Sequence, residues 1–178
     1  AGMVVAVVMA FVKLFITGFE NAIAIWLLIA GIIIGAVAGV ASAKRVKMTD
    51  MPQLVSVFNT VGGGAAALVA LNDILAGEGN PSIVVLITAG LGVMIGSVTF
   101  TGSLIAAGKL QGVKWVRNLS LPGKSFWNIL FIVLMVASFV LLCVFPQQRL
   151  LWAILTTVFA LCYGLVFVIP IGGADMPV

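Results

Sequence analysis

The chain alternates between long apolar runs and short polar segments, and the length of the runs indicates helices that cross a membrane. Such a helix needs roughly 20 apolar residues, and the runs alternate too weakly to be strands of a membrane barrel. We therefore predict an all-α integral membrane protein, a bundle of about six transmembrane helices, with spans near residues 2–17, 22–43, 52–75, 82–107, 126–145 and 150–169. Residues 1–178 are expected to form a single transmembrane domain that is a fragment of a larger helical membrane domain.

The third predicted span carries a polar stripe along one side and an apolar ridge along the other. At about 100° per residue, the stripe contains Thr49, Gln53, Ser56, Thr60, Gly63, Gly64, Ala67 and, at its edge, Asn59. Unpaired polar groups are expensive in hydrocarbon, so the stripe is predicted to face other helices or a wet cavity. The second span carries a doubled GxxxG pattern, which is typical of close helix packing, at Gly31, Gly35 and Gly39.

The fourth predicted span has a matching face of small and hydroxyl residues at helical spacing, formed by Gly92, Gly96, Thr99 and Ser103. We expect this face to pack against the polar stripe of the third span, with Thr99 and Ser103 able to hydrogen-bond across the contact. The deep polar positions are then few, namely Gln53, Ser56, Asn59, Thr60 and Ser103. No acid lies deep within a span, so this narrow feature favours a proton pathway over strong ion coordination or a bulky substrate.

The composition excludes a soluble globular protein. Hydrophobic residues make up 63% of the chain and charged residues 8%, and the mean hydropathy is +1.32, which leaves too few polar side chains to cover a water-exposed surface. The chain has no histidine, and no metal site is predicted. Cys143 and Cys162 lie within apolar runs and are interpreted as packing residues.

The basic residues indicate the orientation of the spans. Because spans alternate in direction, the loops at 44–51 and 109–124 and the C-terminal tail share one side of the membrane. The two loops hold seven of the nine basic residues, namely Lys44, Arg45, Lys47, Lys109, Lys114, Arg117 and Lys124. That side is predicted to be cytoplasmic, or the matrix in a mitochondrion, and the second loop is expected at the level of the lipid headgroups. A nucleic-acid site is the disfavoured interpretation of this basic cluster.

A short repeat links two points on the predicted cytoplasmic side. The sequence Asp50-Met51-Pro52 recurs as Asp175-Met176-Pro177, and in each copy an acid precedes a proline, as a cap precedes the first turn of a helix. The body of the second helix is missing, so we expect the chain to have been cut where a seventh span begins. The match is what a parallel duplication would leave, and coincidence is the alternative.

Four motifs carry a resemblance to a known family. The runs KRVKMTDMPQLVSVFNTVGGGAAALVAL and GSVTFTGSLIAAGKLQG, the LPGK of the basic loop and the terminal IPIGGADMPV closely resemble the membrane domain of the beta-type subunit of proton-translocating NAD(P) transhydrogenase. The resemblance implies that protons cross this domain inward while hydride passes from NADH to NADP⁺ in soluble domains. This chain then binds no cofactor and holds no hydride-transfer residue.

The resemblance also implies partners and a location. These are an NADP(H)-binding domain later in the full-length chain, an alpha-type subunit with an NAD(H)-binding domain, membrane lipid and a second protomer in a dimer. We expect the bacterial cytoplasmic membrane, with the mitochondrial inner membrane as the alternative. Two other functions stay open, a stand-alone small-solute or ion transporter and a structural membrane subunit, and the sequence beyond Val178 would distinguish them.

The resemblance assigns expected roles to four residues. Asn59 stands where several family members carry a histidine thought to relay protons. Because asparagine does not titrate near neutral pH, either another chain supplies the protonatable group or water relays the proton. Ser103 matches the serine of FTGS, as a channel-lining hydroxyl or an interhelical hydrogen-bonding group. Asp175 matches the aspartate of GGADMP and is expected to couple proton movement to the soluble domain at the cytoplasmic mouth. Asp50 is the same residue in the first copy of the repeat and is assigned to the same mouth, although for Asp50 we prefer the interpretation as a helix cap.

Overall fold

The computed structural model describes residues 22–76, 81–117 and 123–171, together with Val5, Val8, Met9, Phe11 and Val12. Apart from these five residues, the predicted span at 2–17 lies outside the described part of the chain, as does Asp175. The chain divides into two units, residues 1–46 and residues 47–178.

The described residues form α-helices, two short 3₁₀ turns and no strand. The helices are α1 (Ala22–Arg45), α2 (Met51–Leu75), α3 (Ile83–Leu110), the short α4 (Lys114–Arg117), α5 (Lys124–Val144) and α6 (Arg149–Val168). Five of them, all except α4, are long and apolar enough to cross a membrane. This confirms the predicted fold class, an all-helical membrane bundle. In the first unit, α1 ends with Lys44 and Arg45 in its last turn, and what packs against Gly31, Gly35 and Gly39 stays a prediction.

The starts of α2 and α3 differ in how they are capped. Ser82 is extended, with φ −62° and ψ 152°, and its hydroxyl accepts a hydrogen bond from the Val85 amide at 3.4 Å. Asp50 precedes α2 but has φ −101° and ψ 1°, and its carboxylate makes no capping bond. The predicted capping role of Asp50 is therefore wrong. A cap oxygen is aimed at the first helical amides from an extended backbone, and the 3₁₀ turn Met48–Asp50 removes that geometry.

The centre of the second unit is α3, which packs against α2, α6 and α5. Small residues allow these close contacts. A Cβ atom on Gly90 would lie 2.5 Å from the ring of Phe139 in α5, and one on Gly102 would lie 3.2 Å from Val168 at the end of α6. An apolar cluster that includes Ile74, Leu86, Val93, Leu142 and Ala153 is buried where α2, α3, α5 and α6 meet.

Buried hydroxyl groups join the helices in two further places. Thr101 of α3 donates to the Leu161 carbonyl of α6 at 2.9 Å. Thr156 of α6 and Ser138 of α5 hydrogen-bond at 3.1 Å. Such bonds satisfy polar groups that have no access to water in a membrane.

Candidate functional site

The contact between α2 and α3 is made by small residues that bring the two backbones together. A Cβ atom on Gly96 of α3 would lie 2.7 Å from both the Gly63 carbonyl and the Ala67 amide of α2, and one on Gly92 would lie 2.9 Å from Ala70. The polar stripe of α2 therefore faces α3, with Thr60, Gly63 and Ala67 buried. The apolar ridge opposite it is largely exposed, as in a lipid-facing surface.

At one end of this contact, a hydrogen bond joins the two helices. The Asn59 amide nitrogen donates to the Ser103 hydroxyl oxygen at 2.8 Å. Both side chains line an open cavity of about 300 Å³, which we call the Asn59 groove. The groove lies between α2, α3 and the end of α6. Its lining includes Ser56, Asn59, Thr99, Ser103, Val168 and Ile171.

The structure brings three of the five predicted pathway residues to this groove: Ser56, Asn59 and Ser103. Thr60 is buried, and its hydroxyl donates to the Ser56 carbonyl one turn earlier at 2.9 Å. Gln53 lies outside the groove lining and donates from Nε2 to the Leu110 carbonyl at 3.1 Å, which ties the start of α2 to the end of α3. Hydroxyl and amide groups that both donate and accept hydrogen bonds therefore lie beside a space large enough for several water molecules.

Of the two aspartates assigned to the cytoplasmic mouth, Asp50 does not line the groove. Asp50 is half-buried in the turn before α2, where its carboxylate accepts from the Thr49 hydroxyl at 3.4 Å. Asp175 lies outside the described residues. The expected coupling role of these two residues stays a prediction.

Lys109 is a residue of this site that the sequence interpretation missed. The prediction placed it in the basic loop, but α3 continues to Leu110, and Lys109 is buried at 9% exposure. Its ammonium group donates to the carbonyls of Val168 and Ile171, at 3.1 and 2.7 Å, and to that of Ile169.

The loop assignment failed because a lysine was taken as the end of a span, whereas these carbonyl groups supply enough polar contacts for it to be buried. A sequence signal was present. Ser97, Thr101, Ile105 and Lys109 follow one another at intervals of four residues, which places them along one buried face of α3.

The five long apolar helices of the described residues, with polar side chains where helices meet, define a helical integral membrane protein with a small, partly polar groove. Family comparison makes this more specific. The family model of the NAD(P) transhydrogenase beta subunit matches residues 1–178, and the chain belongs to this family.

Two curated relatives agree with this membership. Both are named NAD(P) transhydrogenase subunit beta, one from Rhodospirillum rubrum and one from a strain of that species. Each is 36% identical to this chain over 160 residues, a match that covers 86% of this chain and 34% of the relative. The chain thus spans about one third of the length of these relatives.

Proposed function

We propose that this chain is the proton-translocating membrane part of an NAD(P) transhydrogenase in a bacterial cytoplasmic membrane. Protons move inward through it and drive hydride transfer from NADH to NADP⁺. Separate soluble domains carry out the hydride step, namely an NADP(H)-binding domain of the full-length chain and an NAD(H)-binding domain of alpha-type subunits. The complex is a dimer of such protomers. Family membership and the membrane-spanning helices support this assignment.

The observation that carries the proton-pathway proposal is the hydrogen bond between Asn59 and Ser103 at an open groove. An asparagine on the membrane-spanning surface of a helix is costly unless it faces a partner or water. Among the described residues the Asn59 amide has one partner, Ser103, which leaves its carboxamide oxygen available there as an acceptor. We infer that the two side chains orient water in the groove and that the proton passes along this water.

Asn59 orients water in the groove and does not itself carry the proton. The carboxamide does not titrate near neutral pH, so it holds no proton during transfer. The hydroxyl groups of Ser56, Thr99 and Ser103 are close enough to share one groove, and each can both donate and accept a hydrogen bond. A chain of such groups and water relays a proton without any of the side chains changing charge.

The test uses the complete complex in sealed vesicles, with proton uptake and hydride transfer from NADH to an NADP⁺ analogue followed together. Asn59→Leu keeps the side-chain size and removes both polar atoms. We expect proton uptake and coupled hydride transfer to fall together by roughly tenfold or more, the factor that corresponds to one lost hydrogen-bonding group in a pathway.

The matched control is Asn72→Leu, the same change in the same helix at an exposed position outside the groove. This variant is expected to retain both signals. If Asn59→Leu behaves like Asn72→Leu, with complex assembly intact in both, the groove is not the proton route.

A further inference from the structure

One side chain of α3 holds the end of α6. The Lys109 ammonium group donates to the carbonyl oxygens of Val168, Ile169 and Ile171, and these three contacts use all three of its N–H donors. A neutral amine has only two such donors, so the full set of contacts requires the charged form.

The acceptors are suited to a cation. The last four carbonyl groups of a helix have no partner within it, and together they form the negative end of the helix dipole. Val168 is the last residue of α6, and its carbonyl also accepts a hydrogen bond from the Ile171 amide at 3.1 Å. The carbonyls of Ile169 and Ile171 lie just beyond the helix end. The Lys109 contacts therefore place a positive charge at the favourable end of the helix.

The same end of α6 forms one wall of the Asn59 groove. Val168 and Ile171, whose carbonyls bind Lys109, are both lining residues of the groove. Ala106, less than one turn before Lys109 on α3, lines it too. The position of this wall relative to Ser103 thus depends on the Lys109 contacts, although Lys109 itself is not a lining residue.

We propose that Lys109 is a positioning residue for the proton pathway, because it fixes the end of α6 against α3 and so sets the width of the Asn59 groove. This inference rests on the proposed function of the groove. Lys109 does not carry the proton in this account. It keeps Val168 and Ile171 at the distance from Asn59 and Ser103 at which water in the groove stays ordered.

The variant that tests this is Lys109→Met in the complete complex in sealed vesicles. Methionine has nearly the length of lysine and no hydrogen-bond donor. The end of α6 therefore loses its hydrogen bonds to residue 109, while the apolar stem of the side chain is kept. We expect proton uptake per assembled complex to fall roughly ten- to hundredfold, the effect of losing charge-assisted hydrogen bonds. Lys109→Gln, which keeps two uncharged donors, is expected to fall between Lys109→Met and the parent.

A local readout separates positioning from general stability. In a background with Ile171→Cys, the rate of modification by a water-soluble maleimide is measured on the peptide that contains residue 171. Release of the wall is expected to raise this rate several-fold in Lys109→Met. The matched control is Lys114→Met, which removes an exposed lysine from the segment that follows α3 and is expected to leave both the labelling rate and proton uptake unchanged.

The inference is overturned if assembled Lys109→Met or Lys109→Gln complexes take up protons at the parental rate, or if the labelling rate at residue 171 does not change. Its failure is distinguishable from failure of the proposed function. If Asn59→Leu abolishes proton uptake and Lys109→Met does not, the groove is the pathway and Lys109 does not position it. If Asn59→Leu has no effect, the groove itself is wrongly assigned.

Discussion

At the scale of single residues, hydroxyl and amide groups line the groove. The resemblance to the family suggests a titratable group there, because several members carry a histidine at the position of Asn59. Asn59 and Ser103 hydrogen-bond across two helices at 2.8 Å and line the same groove. The described groove lining holds no acidic, basic or histidine side chain. A titratable group introduced at Asn59 is therefore expected to change charge without a second titratable side chain in the described groove lining.

Asn59→His is expected to change the pH dependence of proton uptake. An imidazole has an unperturbed pKa of about 6.5, so its charge changes near neutral pH. We expect the rate of proton uptake to acquire a step near that pH that the parent lacks, measured in sealed vesicles across the neutral range. Asn72→His, outside the groove, is the control, and identical pH profiles for Asn59→His and the parent would contradict a pathway at Asn59.

A second residue-scale prediction concerns the buried hydroxyl of Thr101, which donates to the Leu161 carbonyl of α6. Thr101→Val keeps the shape and removes this interhelical bond. We expect the free energy of unfolding to fall by about 0.6 kcal/mol, the average for such bonds in membrane proteins, measured by reversible denaturation in micelles. Thr88→Val is the control, since within the described part of the chain the Thr88 hydroxyl bonds only to carbonyls of its own helix. An equal loss in both variants would contradict the interhelical role.

The sequence predicted the placement of Asn59 better than that of Lys109. Asn59 was recognisable because a polar side chain inside an apolar span must have a partner, and the helical spacing of Ser103 supplied a candidate. Lys109 was missed because a lysine near the end of a span is normally at the headgroups. The four-residue spacing in α3 places Lys109 on the buried face, but it does not reveal the three carbonyl groups, more than 50 residues away in sequence, that make its burial possible.

At the scale of helices, α3 is the element on which the second unit is built. Its small residues admit the backbone of α2 on one side and α6 on the other. The faces of α2 and α3 were predictable because period and residue size determine which side of a helix is polar or small. The capping of α2 was not, because the 3₁₀ turn at Met48–Asp50 changes the backbone angles at Asp50 without changing the sequence signal.

Gly96→Ala is expected to push α2 and α3 apart. The added methyl group would lie 2.7 Å from backbone atoms of Gly63 and Ala67, and backbone cannot move aside cheaply. We expect a loss of about 1–3 kcal/mol in the free energy of unfolding, the usual effect of overpacking. The control is Gly62→Ala in α2, where the added Cβ meets no described atom within 4 Å, and equal stability of the two variants would contradict this packing.

At the scale of the whole molecule, charge and hydropathy determine how the helices cross the membrane. The segment between α3 and α5 and the segment before α2 are basic, and the turn between α5 and α6 lies at the other end of α5. From the positive-inside rule we expect the two basic segments on the cytoplasmic side. The length and hydropathy of the apolar runs made the helical membrane class predictable. The width of the groove was not predictable, because it depends on contacts between α3 and the end of α6.

The orientation is tested by single cysteines at exposed positions. Gln111→Cys follows α3 and Gln147→Cys lies in the turn before α6, and both side chains are exposed. With a membrane-impermeant thiol reagent on intact cells, we expect Gln147→Cys to be labelled and Gln111→Cys to be protected until the membrane is opened. The reverse pattern would contradict the proposed orientation, with the basic segments on the cytoplasmic side.

The most direct test of the proton pathway is a double-mutant cycle on Asn59 and Ser103 in the reconstituted complex. The rate of proton uptake per assembled complex is measured for Asn59→Leu, Ser103→Ala and the double variant. If the two side chains order the same water, the double variant is expected to be no worse than the more impaired single variant, because both substitutions remove one shared unit. Parental uptake in both single variants, or losses that simply add, would contradict a pathway through the Asn59 groove.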